Sequence, residues 1–141
     1  MKRFVAFLAV GAALSGLGVA GATQATARPS GTTTISSTTT CGYGIGTQVC
    51  LTLNGRVASA TGWVGSAGGP PQMASFVLDL GTTAGHSLDR ENLGAVVGSK
   101  GITVGPIVST VPCGVGIIAT FTTTRTGQPV ASATVTVPAV C

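Results

Sequence analysis

Apolar and polar residues alternate along much of this chain. From Gln48 to Leu53, Val49, Leu51 and Leu53 fall on one side, and Asn54-Gly55 then leads into a second run from Arg56 to Val64. A period of two marks a strand with one buried face. Asn-Gly between two such runs predicts a hairpin, because a type I′ turn needs positive φ at both central residues. The same plan returns later. Ile117, Ala119, Phe121 and Thr123 share one side, a turn follows around Arg125 to Pro129, and Ala131, Ala133, Val135 and Val137 line the next strand. Between these hairpins the pattern predicts strands over Met73 to Leu80, over Ala95 to Val97 and from Ile102 to Ser109, the last two separated by a turn at Ser99 to Gly101. The stretch Gly81 to Leu93 shows no such alternation and is expected to be a loop; Ser87 could cap one helical turn there, but no helical period follows. The fold class is therefore all-β, a small antiparallel β-sandwich, with a small closed barrel as the alternative that alternation alone equally allows.

Two phrases in the chain match. Ile35 to Ile45 and Ile107 to Ile117 agree at seven of eleven positions, 72 residues apart, and Val57-Ala58-Ser59-Ala60-Thr61 returns as Val130-Ala131-Ser132-Ala133-Thr134 at an offset of 73. Ordered matches of this kind point to duplicated units over about 35–64 and 107–137, each read as strand, Cys-Gly-x-Gly corner, strand, turn and strand, with 65–100 unrepeated. A unit with one apolar face cannot hide it alone, whereas two copies can face each other. The expectation is an internal pseudo-repeat in which each copy builds a comparable part of the sandwich.

The first residues modify the compartment rather than the fold. Met1-Lys2-Arg3, an apolar run from Phe4 to about Ala22, and Ala25-Thr26-Ala27 before Arg28-Pro29 read as a secretory signal peptide over 1–27. The 114 residues left of 141 would form one domain, secreted and extracellular, with no later run apolar enough to enter a membrane. Its cations, Arg28, Arg56, Arg90, Lys100 and Arg125, stand against Asp79, Asp89 and Glu91, leaving +2. Five scattered cations do not make the basic face that nucleic acid requires. A monomer is the expected state.

Cys41, Cys50, Cys113 and Cys141 are an even set in an exported chain, which predicts two disulfides. Their spacing lacks the close pairs of structural zinc sites. Of the three possible connectivities, Cys41 with Cys50 and Cys113 with Cys141 keep each bond inside one copy of the repeated phrase.

Candidate chemistry is sparse. The segment Asp79 to Glu91 holds half of the eight charged residues beyond the signal and the single histidine, so a small hydrolase would draw on His86 with Asp79 or Asp89. No G-x-S-x-G elbow accompanies it, and Arg90 beside Asp89 and Glu91 is equally what a solvated loop contains. One histidine cannot build the multi-histidine catalytic zinc pattern, and no metal or cofactor is expected. Gly68 to Gln72, stiffened by Pro70-Pro71, is the segment an extracellular protease inhibitor would present. Trp63 occupies the register that the pleat turns outward, unless a bulge or the unrepeated segment covers it, and Tyr43 is the natural companion for an exposed indole.

In the loose sense of a small, exported Thr-, Gly- and Val-rich sandwich, the chain resembles immunoglobulin-like domains, although their Cys, Trp and Cys spacing is absent. In size and composition it is also similar to small secreted two-disulfide β proteins that carry chromophores. The function these observations favour is a non-enzymatic binding or interaction module. It would use a sheet face or the loops at 65–72 and 81–94, with Trp63, Tyr43, Pro70, Pro71 and Arg90 as contact residues and an unidentified protein or a cell-wall polysaccharide as partner.

Overall fold

The computed structural model describes residues 36–66 and 68–140; the expected signal peptide and Cys141 lie outside them. Eight strands form within the compact unit Thr33–Cys141. They are β1 (Ser37–Gly44), β2 (Thr47–Asn54), β3 (Val57–Val64), β4 (Gln72–Thr82), β5 (Ser87–Val97), β6 (Ile102–Thr110), β7 (Gly116–Arg125) and β8 (Ala131–Pro138). They build two four-stranded antiparallel sheets, β1-β2-β3-β6 (sheet A) and β5-β4-β7-β8 (sheet B). The sheets pack face to face as a β-sandwich and no closed barrel forms.

The alternating series supply the interior. Val49, Leu51 and Leu53 of β2, Ala58, Ala60 and Val64 of β3, Phe76, Leu78 and Leu80 of β4, and Ile117, Ala119 and Phe121 of β7 are all buried in one cluster. Small residues recur on the inner faces of β3 and β8, where Ala58, Ala60 and Ala133 are all buried. The two phenylalanines, Phe76 and Phe121, stack with ring centroids 5.9 Å apart at the centre. With so few aromatics, close approach of the two sheets replaces bulk as the way to exclude water.

Three expectations need correction. Asn54 pairs with Val57, so the two-residue turn of the first hairpin is Gly55-Arg56, one place later than Asn54-Gly55. Gly55 has φ 58° and stands at the first central position, where a II′-type turn places its glycine.

The loop expected over residues 81–94 is mostly strand. β5 pairs with β4 over ten residue pairs, with one irregularity between Leu80 and Gly81 that skips Leu88, and only residues 83–86 form the turn. Its alternation was masked because β5 is an edge strand. Edge strands carry charge on both faces, including the inner one, which prevents a second sheet from adding to them.

The duplicated phrases do not occupy equivalent places. The hairpins β2–β3 and β7–β8 do correspond, one in each sheet. However, β1 continues the first hairpin's sheet, whereas β6 joins β3 in sheet A before the chain crosses to β7 in sheet B. Cys41-Gly42-Tyr43-Gly44 is therefore straight strand, while Cys113-Gly114 lies in the crossing turn. The glycines answer different demands. Carbonyls of Thr134 and Ser132 on β8 fill the space that side chains at 42 and 44 would need, so the edges of β1 and β8 shield one another. Gly114, with φ 76°, serves the turn.

Candidate functional site

One end of the sandwich gathers the β1–β2 turn, the β3–β4 connection, the β5–β6 turn and the β7–β8 loop. The inward-facing series change character there. Thr47 precedes Val49 on β2, and Thr123 and then Arg125 follow Phe121 on β7. Both threonines are buried, and Thr47 Oγ1, Thr123 Oγ1 and Arg125 Nε have no hydrogen-bond partner among the described residues. Arg125 Nη2 donates to the carbonyl of Gly65 at 2.7 Å, which ties the start of the β3–β4 connection to β7. Beside these groups lies a cavity of about 410 Å³ lined by the β1–β2 turn, the start of the β3–β4 connection and the β7–β8 loop.

Adjoining this end, the outer face of sheet A carries a row set by strand register. Tyr43 of β1 stands opposite Gln48 of β2, Gln48 opposite Trp63 of β3, and Trp63 opposite Thr103 of β6. Tyr43 is 75% exposed and Trp63 42%. The pleat does turn the indole outward, and it lies along two glycines: a Cβ at Gly65 would come within 2.9 Å of the ring, and one at Gly101 within 3.3 Å of its nitrogen. Gln48 Nε2 donates to the Tyr43 hydroxyl at 3.2 Å and to Cys50 Sγ at 3.4 Å. The expected Cys41–Cys50 disulfide, directly across β1 and β2, lies on the same face next to that row. Cys113 is disulfide-bonded too, and the expected pairing with Cys141 lies outside the described residues.

The residues considered for hydrolysis are spread over β4, the β4–β5 turn and β5. His86 sits exposed in the β4–β5 turn at the opposite end, its backbone fixed by Thr82: Thr82 N donates to the His86 carbonyl at 2.8 Å. Asp79 is on the outer face of sheet B, where Arg90 Nε approaches its Oδ2 at 3.6 Å. Asp89 stands opposite inward-facing Leu80 and so on the other face of β5, accepting a 2.8 Å bond from the Arg90 amide. Asp79 and Asp89 thus lie on opposite faces of sheet B, and among the described residues no hydrogen bond joins the His86 ring to either. Among the described residues no group of three or more His, Cys, Asp or Glu could hold a metal ion.

Gly68 to Gln72 is exposed throughout, with Gly68 and Gly69 at positive φ and one internal bond, Gly68 N to Ser66 Oγ at 3.2 Å. Pro70 and Pro71 thus flank the loop end, whereas Arg90 is on the distant outer face of sheet B. Sequence reasoning singled out Tyr43 and Trp63 but missed Gln48, Thr47, Thr123 and Arg125. The available signal was the interruption of two apolar series by polar residues at the same end.

No protein-family model, curated protein or solved structure matches the chain.

Proposed function

We propose that this chain is an extracellular, non-enzymatic binding module that holds an extended polysaccharide on the outer face of sheet A. The observation that carries the reading is the sorting of its aromatics. Both core phenylalanines are buried against each other, whereas the tyrosine and the tryptophan stand exposed in one cross-strand row with Gln48 between them. Rings on alternate strands are separated by about 10 Å, twice the strand spacing. Sugar rings present C–H faces that stack on such aromatics and hydroxyl edges that an amide can bond. A flat sheet stapled by Cys41–Cys50 offers the rings already in place, which lowers the ordering cost of binding.

The strand order supports the immunoglobulin-like comparison. With β1 set aside, β2-β3-β6 facing β5-β4-β7-β8 follows an A-B-E facing C′-C-F-G connection, and the loop end corresponds to the end such domains commonly use for recognition. The inhibitor reading has less behind it: among the described residues one side-chain bond, Gly68 N to Ser66 Oγ, holds the exposed segment that leads to β4.

Co-sedimentation of the purified protein with insoluble cellulose, chitin, xylan and bacterial cell walls tests the proposal. Binding to at least one polymer is expected, with loss of most of it in Trp63→Ala and Tyr43→Ala. Absence of binding to all four, or equal binding by the alanine variants, overturns it.

A further inference from the structure

We infer, resting on the polysaccharide-binding role proposed for sheet A, that the ligand is an uncharged β-1,4-linked chain lying across the strands. Three consecutive sugars are the shortest segment that reaches both rings. Tyr43 on β1 and Trp63 on β3 are joined in register through Gln48 on β2, which sets their side chains two strand spacings apart, about 10 Å. In an extended β-1,4-linked chain each pyranose is turned over relative to the one before, so every second sugar presents the same face, and two sugars advance the chain by nearly that distance. An α-1,4-linked chain winds into a helix instead. Its sugars leave the line of the row.

The side chains of the row fit such a chain. The benzenoid end of the indole lies beside Gly65 and its nitrogen beside Gly101, so two residues without side chains leave it room along the sheet while 42% of Trp63 stays exposed for stacking. Gln48 stands beneath the sugar between the two stacked ones. Its Nε2 is committed to the Tyr43 hydroxyl and to Cys50 Sγ, which leaves the amide oxygen, unbonded among the described residues, to accept from a hydroxyl of that sugar. Charge narrows the class further. Strands β1, β2, β3 and β6 contain no Asp, Glu, Lys or Arg; Arg56 and Lys100 lie in turns beyond the strands, and the acids Asp79, Asp89 and Glu91 belong to β4 and β5. A charged polymer finds no ionic partner on these strands. Successive strands are also turned by about 20° through the twist of a sheet, which suits a single dissolved chain free to follow the row.

The test is titration of the purified protein with cello- and N-acetylated chito-oligosaccharides of two, three and four sugars and with maltotriose, read by the emission of Trp63 and by ¹H–¹⁵N shifts. In at least one β-1,4 series the trisaccharide is expected to bind about tenfold more tightly than the disaccharide, the order expected for one added aromatic contact. Maltotriose should bind at least about tenfold more weakly than that trisaccharide, and added salt should leave the affinity unchanged. Tyr43→Ala, on an exposed edge strand where folding is not at stake, should erase the step from two sugars to three while the disaccharide still perturbs Trp63. No step in either series, a step that survives Tyr43→Ala, equal binding of maltotriose, or loss of affinity on adding salt overturns the inference. Polymer sedimentation that still depends on Trp63 and Tyr43 would then leave the broader binding role standing, whereas absence of binding by every oligosaccharide and every polymer overturns both.

Discussion

Gly62 lies directly against the ring of Phe121: a Cβ at residue 62 would overlap the ring itself. The strand series Ala58, Ala60, Gly62 and Val64 narrows to nothing at the point where the opposing sheet brings its largest side chain, and Phe121 there stacks on Phe76. Gly62→Ala should therefore destabilise the fold by about 1–3 kcal/mol, the usual cost of overpacking a closed core. Urea unfolding would measure it. Gly94→Ala, on β5 with open space around it, is the control and should change stability far less.

Cys41 and Cys50 face each other across β1 and β2 and are separated by nine residues. Closing so short a loop constrains the unfolded chain modestly, so replacing both by serine should cost about 2–3 kcal/mol. Because β1 is an edge strand held by β2 and by its approach to β8, the loss should appear first as faster amide exchange along Ser37 to Gly44. Uniform loss of protection across both sheets would contradict this localisation.

The repeated Cys-Gly motif makes a sharper comparison. Gly42 faces the backbone of Thr134, whereas Gly114 has open space around it and is constrained only by its φ of 76°. Gly114→Ala should cost about 1–2 kcal/mol, the strain of a left-handed alanine. Gly42→Ala should cost more, because backbone cannot step aside as a side chain can, and it should pry β1 from β8. Denaturant midpoints for the two variants, compared side by side, check the order.

The same motif shows where the sequence was legible and where it was not. Strand existence followed from local alternation, and the positions predicted to share one side of β2 and β7 are the buried ones. Which strands share a sheet is a non-local matter: Ser109 and Ser37 have similar neighbours in sequence, but one strand pairs with β3 and the other with β2. Edge strand β5 was hidden because its charges serve negative selection against sheet addition rather than burial. For the candidate surface, period two placed Trp63 outward, but only the register of three strands sets Tyr43 and Gln48 beside it. Thr123 and Arg125 read as continuations of a strand until the fold places both residues beside the cavity at the loop end.

Trp63 is the chain's single tryptophan, so its emission reports one place. At 42% exposure, resting along Gly65 and Gly101, it should be readily quenched by acrylamide and should emit to the red of a buried indole. Trp63→Ala should alter stability by no more than about 1 kcal/mol, since it removes a surface ring and opens no cavity. A polymer stacked on the row should shield the indole and reduce its quenching, which links this readout to the sedimentation test. Blue-shifted emission that resists acrylamide in the free protein would remove Trp63 from any docking surface.

Thr47 and Thr123 are two buried hydroxyls whose cost to stability can be measured. Each is buried with an unpaired hydroxyl at a position where its own strand otherwise places Val, Leu, Ile or Phe toward the interior. Valine has nearly the same shape, so Thr→Val removes the unsatisfied group without opening a void. Either substitution should raise the unfolding free energy by about 1 kcal/mol, the lower part of the penalty for a buried polar group without a partner. If Thr123→Val instead lowers stability, its hydroxyl is completing a bond within the fold, and urea unfolding of the two valine variants side by side decides it.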